Sequence, residues 1–175
     1  MTDSLSYPIG RWSPPDPLTS REIDAAVARI AALPGRLRSA VQGLDPGQLA
    51  TPYRPGGWTV HQLVHHVADS HINAYIRVKL GLTEDEPRIT AYDQDAWASL
   101  LDVDLVPVTV SLDLVEALHA RWSTLLGSLT PTQWSRHYLH PENGRQRLDL
   151  VAHHYAWHGD HHLAHITALA ERSGW

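Results

Sequence analysis

The sequence predicts an all-α protein, a four-helix bundle preceded by an extended, proline-rich N-terminal segment. Two observations predict it: four long stretches carry apolar residues at helical spacing, and the connections between them are dense in Pro, Gly, Asn and Asp. At 175 residues the chain suits one domain, 1–175, long enough to bury a proper core.

Residues 1–19 hold Pro8, Pro14, Pro15 and Pro17, which forbid a regular helix and favour an extended course over the surface. Tyr7, Ile9 and Trp12 are its possible anchors; unanchored, it would be a loose tail. Thr19 or Ser20 caps a first helix, with Glu22 and Asp24 in its first turn where the helix dipole favours them. Ile23, Val27, Ile30, Ala31 and Leu33 form its apolar face, Pro34-Gly35 is expected to break or kink it, and Leu37, Val41 and Leu44 resume the pattern to about Gly43. Residues 44–57 are turn chemistry. Thr59 and Gln62 form a capping-box pattern opening a second helix, which runs through Leu63, Val67, His71, Ala74 and Val78 to about Leu80, where Gly81 is expected to stop it.

A polar loop, 83–90, leads to a short helical segment around 93–101 and then to a third long helix from about Ser111 to Leu129. Val115, Leu118, His119, Trp122, Leu125 and Leu126 make its buried face. Thr130 can cap a short turn at Pro131, and Asn143-Gly144 can close a short hairpin before the last helix.

That last helix holds HHYAWHGDHHLAH, His153 to His165, six of the chain's thirteen histidines within thirteen residues. Histidines four apart project from one helical face with Cβ atoms ~5–6 Å apart, close enough for two imidazoles to reach one ion. Three pairs have that spacing: His154/His158, His158/His162 and His161/His165. Leu148, Val151, Ala152, Tyr155, Leu163, Ile166 and Leu169 define the apolar stripe; His162 falls inside it and His158 on its edge. An imidazole on an apolar face needs a hydrogen bond or a metal, so His158 with His162 is the preferred ligand pair. His153, His154, His161 and His165 are expected to be solvated or to support the ligands. On the second helix His65 and His66 flank the stripe on opposite sides, and spacing does not choose between them as a third ligand.

Composition excludes other chemistries. There is no cysteine, which removes disulfides, thiolate ligands and a protein thiol nucleophile. The formal charge is −5 with no basic run, which argues against nucleic acid or an anionic membrane as partner. The N-terminus lacks a basic start and an apolar core, and no apolar run approaches the ~18 residues of a spanning helix, so a cytoplasmic location is expected. Seven tryptophans and six tyrosines stand against no phenylalanine, so large aromatic contacts will mostly carry a polar atom that wants a partner.

The stretches SYPIGRW, TPYRPGGWTVHQLVHHVADSHINAYIRVKL, LHARWSTLLGSLT and YAWHGDHHLAHITAL, with the terminal SGW, cover the chain nearly end to end. In these the chain resembles the DinB-like, four-helix-bundle metal-dependent hydrolases, in the YfiT branch that includes bacillithiol transferase. The resemblance implies an up-down-down-up bundle, a homodimer, and one divalent metal per subunit, zinc or nickel, on three histidines that map onto His66, His158 and His162.

Three neutral histidines leave a fourth position of a tetrahedral zinc site open, as in catalytic rather than structural sites. Water there can be acidified to a pKa of about 7 for attack on an ester or amide, and a low-molecular-weight thiol there would be held as its thiolate for transfer to an electrophile. Asp69, Asp160 and buried tyrosines are candidates to orient the imidazoles, and Tyr53, Arg54, Arg77 and Lys79 to meet an anionic substrate. The alternative is a non-catalytic bundle pinned by a structural metal, which would need a fourth protein ligand; a histidine-rich bundle without metal ranks last.

Overall fold

Thr19 opens the first long helix with a complete capping box: its hydroxyl accepts from the Glu22 backbone N–H, and the Glu22 carboxylate accepts from the Thr19 N–H at 2.7 Å. The same reciprocal arrangement, Thr59 with Gln62, opens the second. In a computed structural model, which describes residues 2–175 and side chains from residue 4 onward, four long helices build the bundle: α2 (Ser20–Val41), α4 (Val60–Thr83), α7 (Val108–Gly127) and α9 (Leu148–Ser173). Short elements connect them: α1 (Thr2–Ser6), α3 (Pro46–Leu49), α5 (Gln94–Trp97), α6 (Leu101–Leu105), α8 (Pro131–Trp134), β1 (His137–His140) and β2 (Gly144–Arg147).

Helix α2 packs against both α7 and α9, and α4 packs against the same two, so the consecutive helices α2 and α4 lie across the bundle's diagonal. The core falls into two apolar clusters. One holds Ala26, Ile30, Ala74, Val78, Trp122, Leu126, Val151 and Tyr155; the other holds Leu33, Leu37, Val60, Val64, Val67, Val115, Leu163 and Ile166. In three of the long helices the sequence between the two groups carries histidine: His71 on α4, His119 on α7, and His158 and His162 on α9. A histidine layer therefore crosses the middle of the bundle. No helix among the described residues is long and apolar enough to cross a membrane.

Several local expectations are corrected. Helix α2 is not broken at Pro34 but continues to Val41, because Ile30, Leu33, Pro34 and Leu37 share one buried face whose packing outweighs the local cost of proline. Gly81 does not stop α4, which runs on to Thr83 with the Glu84 N–H closing onto the Leu80 carbonyl. Its role is space: a Cβ there would lie 3.1 Å from Leu148 Cδ2 and 3.4 Å from the His137 carbonyl oxygen. The segment expected near 93–101 divides into α5 and α6, and α7 begins at Val108 rather than Ser111.

The N-terminal segment is not wholly extended, because the prolines that forbid a helix begin at Pro8 and α1 ends before them at Ser6. From Tyr7 on it is non-helical and anchored: the Trp12 indole N–H donates to His153 Nδ1 at 3.0 Å, and the Tyr7 ring lies 5.7 Å from that of His161. The expected hairpin is present, β1 pairing antiparallel with β2 from His137↔Arg147 to His140↔Gly144. Gly144, at φ 68°, supplies the left-handed residue this turn requires.

Candidate metal centre

His66 comes from the buried face of α4, and His158 and His162 from successive turns of α9. Their Nε2 atoms converge. His158 Nε2 is 3.4 Å from His66 Nε2 and 3.1 Å from His162 Nε2, and the three rings offer ligand atoms all within 4.8 Å of one another. Tetrahedral Zn–N bonds of ~2.0–2.1 Å place ligand nitrogens roughly 3.3–3.4 Å apart, so the donor set fits a single divalent ion. No fourth His, Cys, Asp or Glu among the described residues joins this group. Trp58 lies over His66 with ring centroids 4.5 Å apart, walling one side.

Burial holds the His66 imidazole down at about 4. The same burial, reinforced by neighbouring histidines, holds His158 and His162 well below the ordinary value. Rings kept neutral at physiological pH keep a lone pair for a metal.

His65 takes no part. Its Nδ1 meets the Ser111 hydroxyl at 2.7 Å and its Nε2 the Val106 carbonyl at 3.1 Å, so the ring is committed to α7 and the loop before it. Asp160, a candidate to orient an imidazole, instead accepts from Arg29 Nε at 2.7 Å and Arg36 Nη1 at 2.5 Å, pinning α9 to α2. Asp69 is half-buried rather than solvent-exposed; burial and Asp102 raise its pKa, and its carboxylate makes no hydrogen bond to the triad. Lys79 lies over the Tyr75 ring, away from the site, whereas Arg77 is buried and donates to the Thr90 carbonyl at 2.9 Å.

Tyr53 and Arg54 do reach the neighbourhood. Tyr53 lies over His165 with centroids 3.9 Å apart and the rings tilted by 36°, Arg54 Nε donates to the Tyr53 hydroxyl at 3.0 Å, and both line a cavity of about 660 Å³ that opens onto His158 and His162. Arg11, Trp58, Trp157, His161 and His165 also line it. A second cavity of about 650 Å³, bordered by Ser70, Arg77, Tyr92, His154 and Tyr155, reaches His158 from another side.

Three features escaped sequence reasoning. His161 and His165, expected to be solvated or supporting, are buried, with Nε2 atoms 3.0 Å apart; with His162 they form a second cluster able to hold a cation. They are buried because Tyr7 and Tyr53, from distant stretches, cover them. His71 Nε2 meets His158 Nδ1 at 3.1 Å, His71 Nδ1 meets His119 Nε2 at 2.9 Å, and His119 Nδ1 meets the Ile30 carbonyl at 2.6 Å. The available signal was that both histidines sit on apolar faces, where each needs a partner. The large aromatics do carry polar atoms that want partners, and at Trp122 and Trp157 the buried indole N–H groups have none.

The chain matches known proteins over nearly its whole length. It is 49% identical over 173 residues to a Bacillus cereus protein named "Putative metal-dependent hydrolase", covering 99% of each, and equally so to a relative of the same description from Bacillus thuringiensis. Among solved structures it superposes with a TM-score of 0.95 and 44% identity on YfiT from Bacillus subtilis, covering 98% of this chain and 99% of that one; YfiT is described as a probable metal-dependent hydrolase with an unusual four-helix bundle topology. The four-helix bundle protein TT2238, at 23% identity and TM-score 0.57, shares the fold. The DinB superfamily model matches residues 29–166, which contain all three converging histidines, and the chain belongs to that superfamily.

Proposed function

We propose that this protein is a divalent-metal-dependent enzyme acting on small molecules, with His66, His158 and His162 as the ligands. The observation that carries the reading is the convergence of three neutral imidazole nitrogens at one edge of a cavity of about 660 Å³, with no fourth protein ligand among the described residues. Such a set favours an open coordination position over a closed structural site. The relatives' names support hydrolysis as the first reading. A divalent ion held here, zinc or nickel, would supply Lewis acidity, lowering the pKa of a water or thiol brought beside it.

The chain's own residues do the rest. Burial keeps the three imidazoles unprotonated and ready to coordinate; Trp58 and Trp157 narrow the cavity and limit water; Tyr53, Arg54 and Arg11 present a polar and cationic wall to a substrate's anionic groups. A second reading, transfer of a low-molecular-weight thiol to an electrophile, is favoured by one feature: two cavities of similar size meet at His158, room for two reactants. With no cysteine in the chain, the sulfur would arrive with the cosubstrate.

The test is metal analysis of purified protein, followed by ester and amide panels and a thiol–electrophile conjugation assay, each with and without chelator. Stoichiometric metal lost in His158→Ala and His162→Ala, with turnover that vanishes on chelation, is the expected result. Unchanged metal in both variants refutes it.

A further inference from the structure

We infer that the Ile30 carbonyl, left without a helical partner by Pro34, acts through His119 and His71 to fix the tautomer of His158, so that its Nε2 presents a bare lone pair to the metal position. For its functional meaning this rests on the reading of His158 as a ligand; the tautomer itself does not.

The relay starts in α2. In an uninterrupted helix the carbonyl of residue 30 accepts from the N–H of residue 34, but residue 34 is proline and has none. The carbonyl instead meets His119 Nδ1 at 2.6 Å, and because a carbonyl only accepts, His119 must carry its proton on Nδ1. A neutral imidazole has one N–H, so His119 Nε2 is bare. It lies 2.9 Å from His71 Nδ1, which must therefore be the donor. His71 Nε2 is then bare, and His158 Nδ1, 3.1 Å away, must donate to it. What remains on His158 is an unprotonated Nε2, the atom that faces His66 and His162.

Reversing His119 sets a lone pair against the carbonyl oxygen and N–H against N–H at His71; reversing His71 faces two lone pairs at His119 and two N–H groups at His158; reversing His158 faces its bare Nδ1 with the bare His71 Nε2. Charging a ring is disfavoured, because His71 and His119 are essentially sealed from solvent and the charge neighbours acting on His71 are all histidines. The relay ends on a backbone carbonyl that can neither give nor take a proton, so it holds a tautomer rather than conducting protons. All four long helices contribute: α2 the carbonyl, α7 His119, α4 His71, α9 His158. His71 and His119 are thus positioning residues, and Pro34 is the residue that frees the carbonyl.

The test uses nitrogen-15-labelled histidine and long-range proton–nitrogen NMR on the full-length, metal-free protein. The expected result is His119, His71 and His158 each protonated at Nδ1; His158 found chiefly as the Nε2–H form overturns the inference. His119→Gln retains an amide donor for Ile30 and an oxygen for His71, and should keep the His158 tautomer and zinc affinity. His119→Leu removes both, and should mix the His158 tautomers and weaken zinc binding by roughly ten- to a hundredfold, the range for loss of a partner behind a ligand. Should His119→Leu fail to fold, Pro34→Ala serves: it restores a competing N–H, so the helix should gain stability while the His158 tautomers mix and zinc binding weakens by up to about tenfold, opposite signs that a merely structural proline would not give. An unchanged His158 tautomer in His119→Leu or, where that variant does not fold, an unchanged His158 tautomer in Pro34→Ala overturns the lock. A His158 tautomer that shifts in His119→Leu without any change in zinc binding leaves the lock standing and refutes His158 as a ligand.

Discussion

Gly159 sits between His158 and the salt-bridged Asp160, where α9 packs against Leu33 of α2. A Cβ placed there would lie 2.4 Å from Leu33 Cδ2, 3.2 Å from Leu33 Cδ1 and 3.3 Å from Leu33 Cγ. Leu33 is 2% exposed and packed within the second apolar cluster, so it has little room to retreat. Two effects oppose each other in Gly159→Ala. Alanine gains about 1 kcal/mol of helix propensity over glycine, while overpacking a filled core costs about 1–3 kcal/mol. The overlap exceeds a small adjustment, so overpacking should win and the variant should lose about 1 kcal/mol net in urea unfolding. Gly35, exposed and inside α2 with nothing within 4 Å of where a Cβ would stand, is the control; Gly35→Ala should gain up to about 1 kcal/mol. Because the displaced backbone adjoins His158, zinc affinity should fall in the first variant and not in the second. In a Leu33→Ala background the penalty at 159 should disappear. Equal stabilisation by both glycine replacements would refute the close approach of α9 to α2.

Other outcomes follow from the same geometry. The His66 imidazole titrates near 4 in the folded chain against about 6.5 unfolded, so the unfolded state binds the proton first as pH falls; stability is full above about 6.5 and declines toward 4, and at pH 5 this ring alone removes ~2 kcal/mol. His71, His158 and His162 act with the same sign, and metal-free protein should melt well below its pH 7.5 temperature at pH 5; a flat profile would count against the buried neutral layer. Zinc at a hundredfold over its Kd should add about 2.7 kcal/mol, seen as a rise of roughly 5–10 °C in Tm that chelator reverses. Asp160→Asn should cost about 1 kcal/mol, modest because Arg29 and Arg36 are partly exposed, while metal stoichiometry stays at one; loss of metal would restore Asp160 as a ligand-orienting group. The homodimer implied by the resemblance would have exposed Leu101, Leu105 and Val110 available to cover, and Leu101→Asp with Leu105→Asp should then shift light-scattering mass to the monomer.

What the sequence discloses about the site depends on whether the signal lies within one helix. His158 and His162 are legible because their spacing and the stripe they share belong to α9 alone. Choosing His66 over His65 needed the family resemblance, since both are buried and differ only in which neighbour they face: Trp58 and α9 for one, Ser111 of α7 for the other. The burial of His161 and His165 depends on Tyr7 and Tyr53 from distant stretches, and the His71–His119 contact spans 48 positions. Pro34 shows the opposite failure. A local rule expected a break or a kink; the break does not occur, because proline removes one hydrogen bond and the buried face on either side holds the helix together.

The reactive groups occupy a thin belt whose oily flanks touch it at a few places only: Ile30, Trp122 and Tyr155 on one side, Trp58 and Leu33 on the other. Away from those contacts, either end of the bundle can drift in sequence, or be rebuilt by design, without disturbing the donor atoms. A scaffold so divided lends itself to changing substrate preference at the rims while the ion-binding waist is left as it stands.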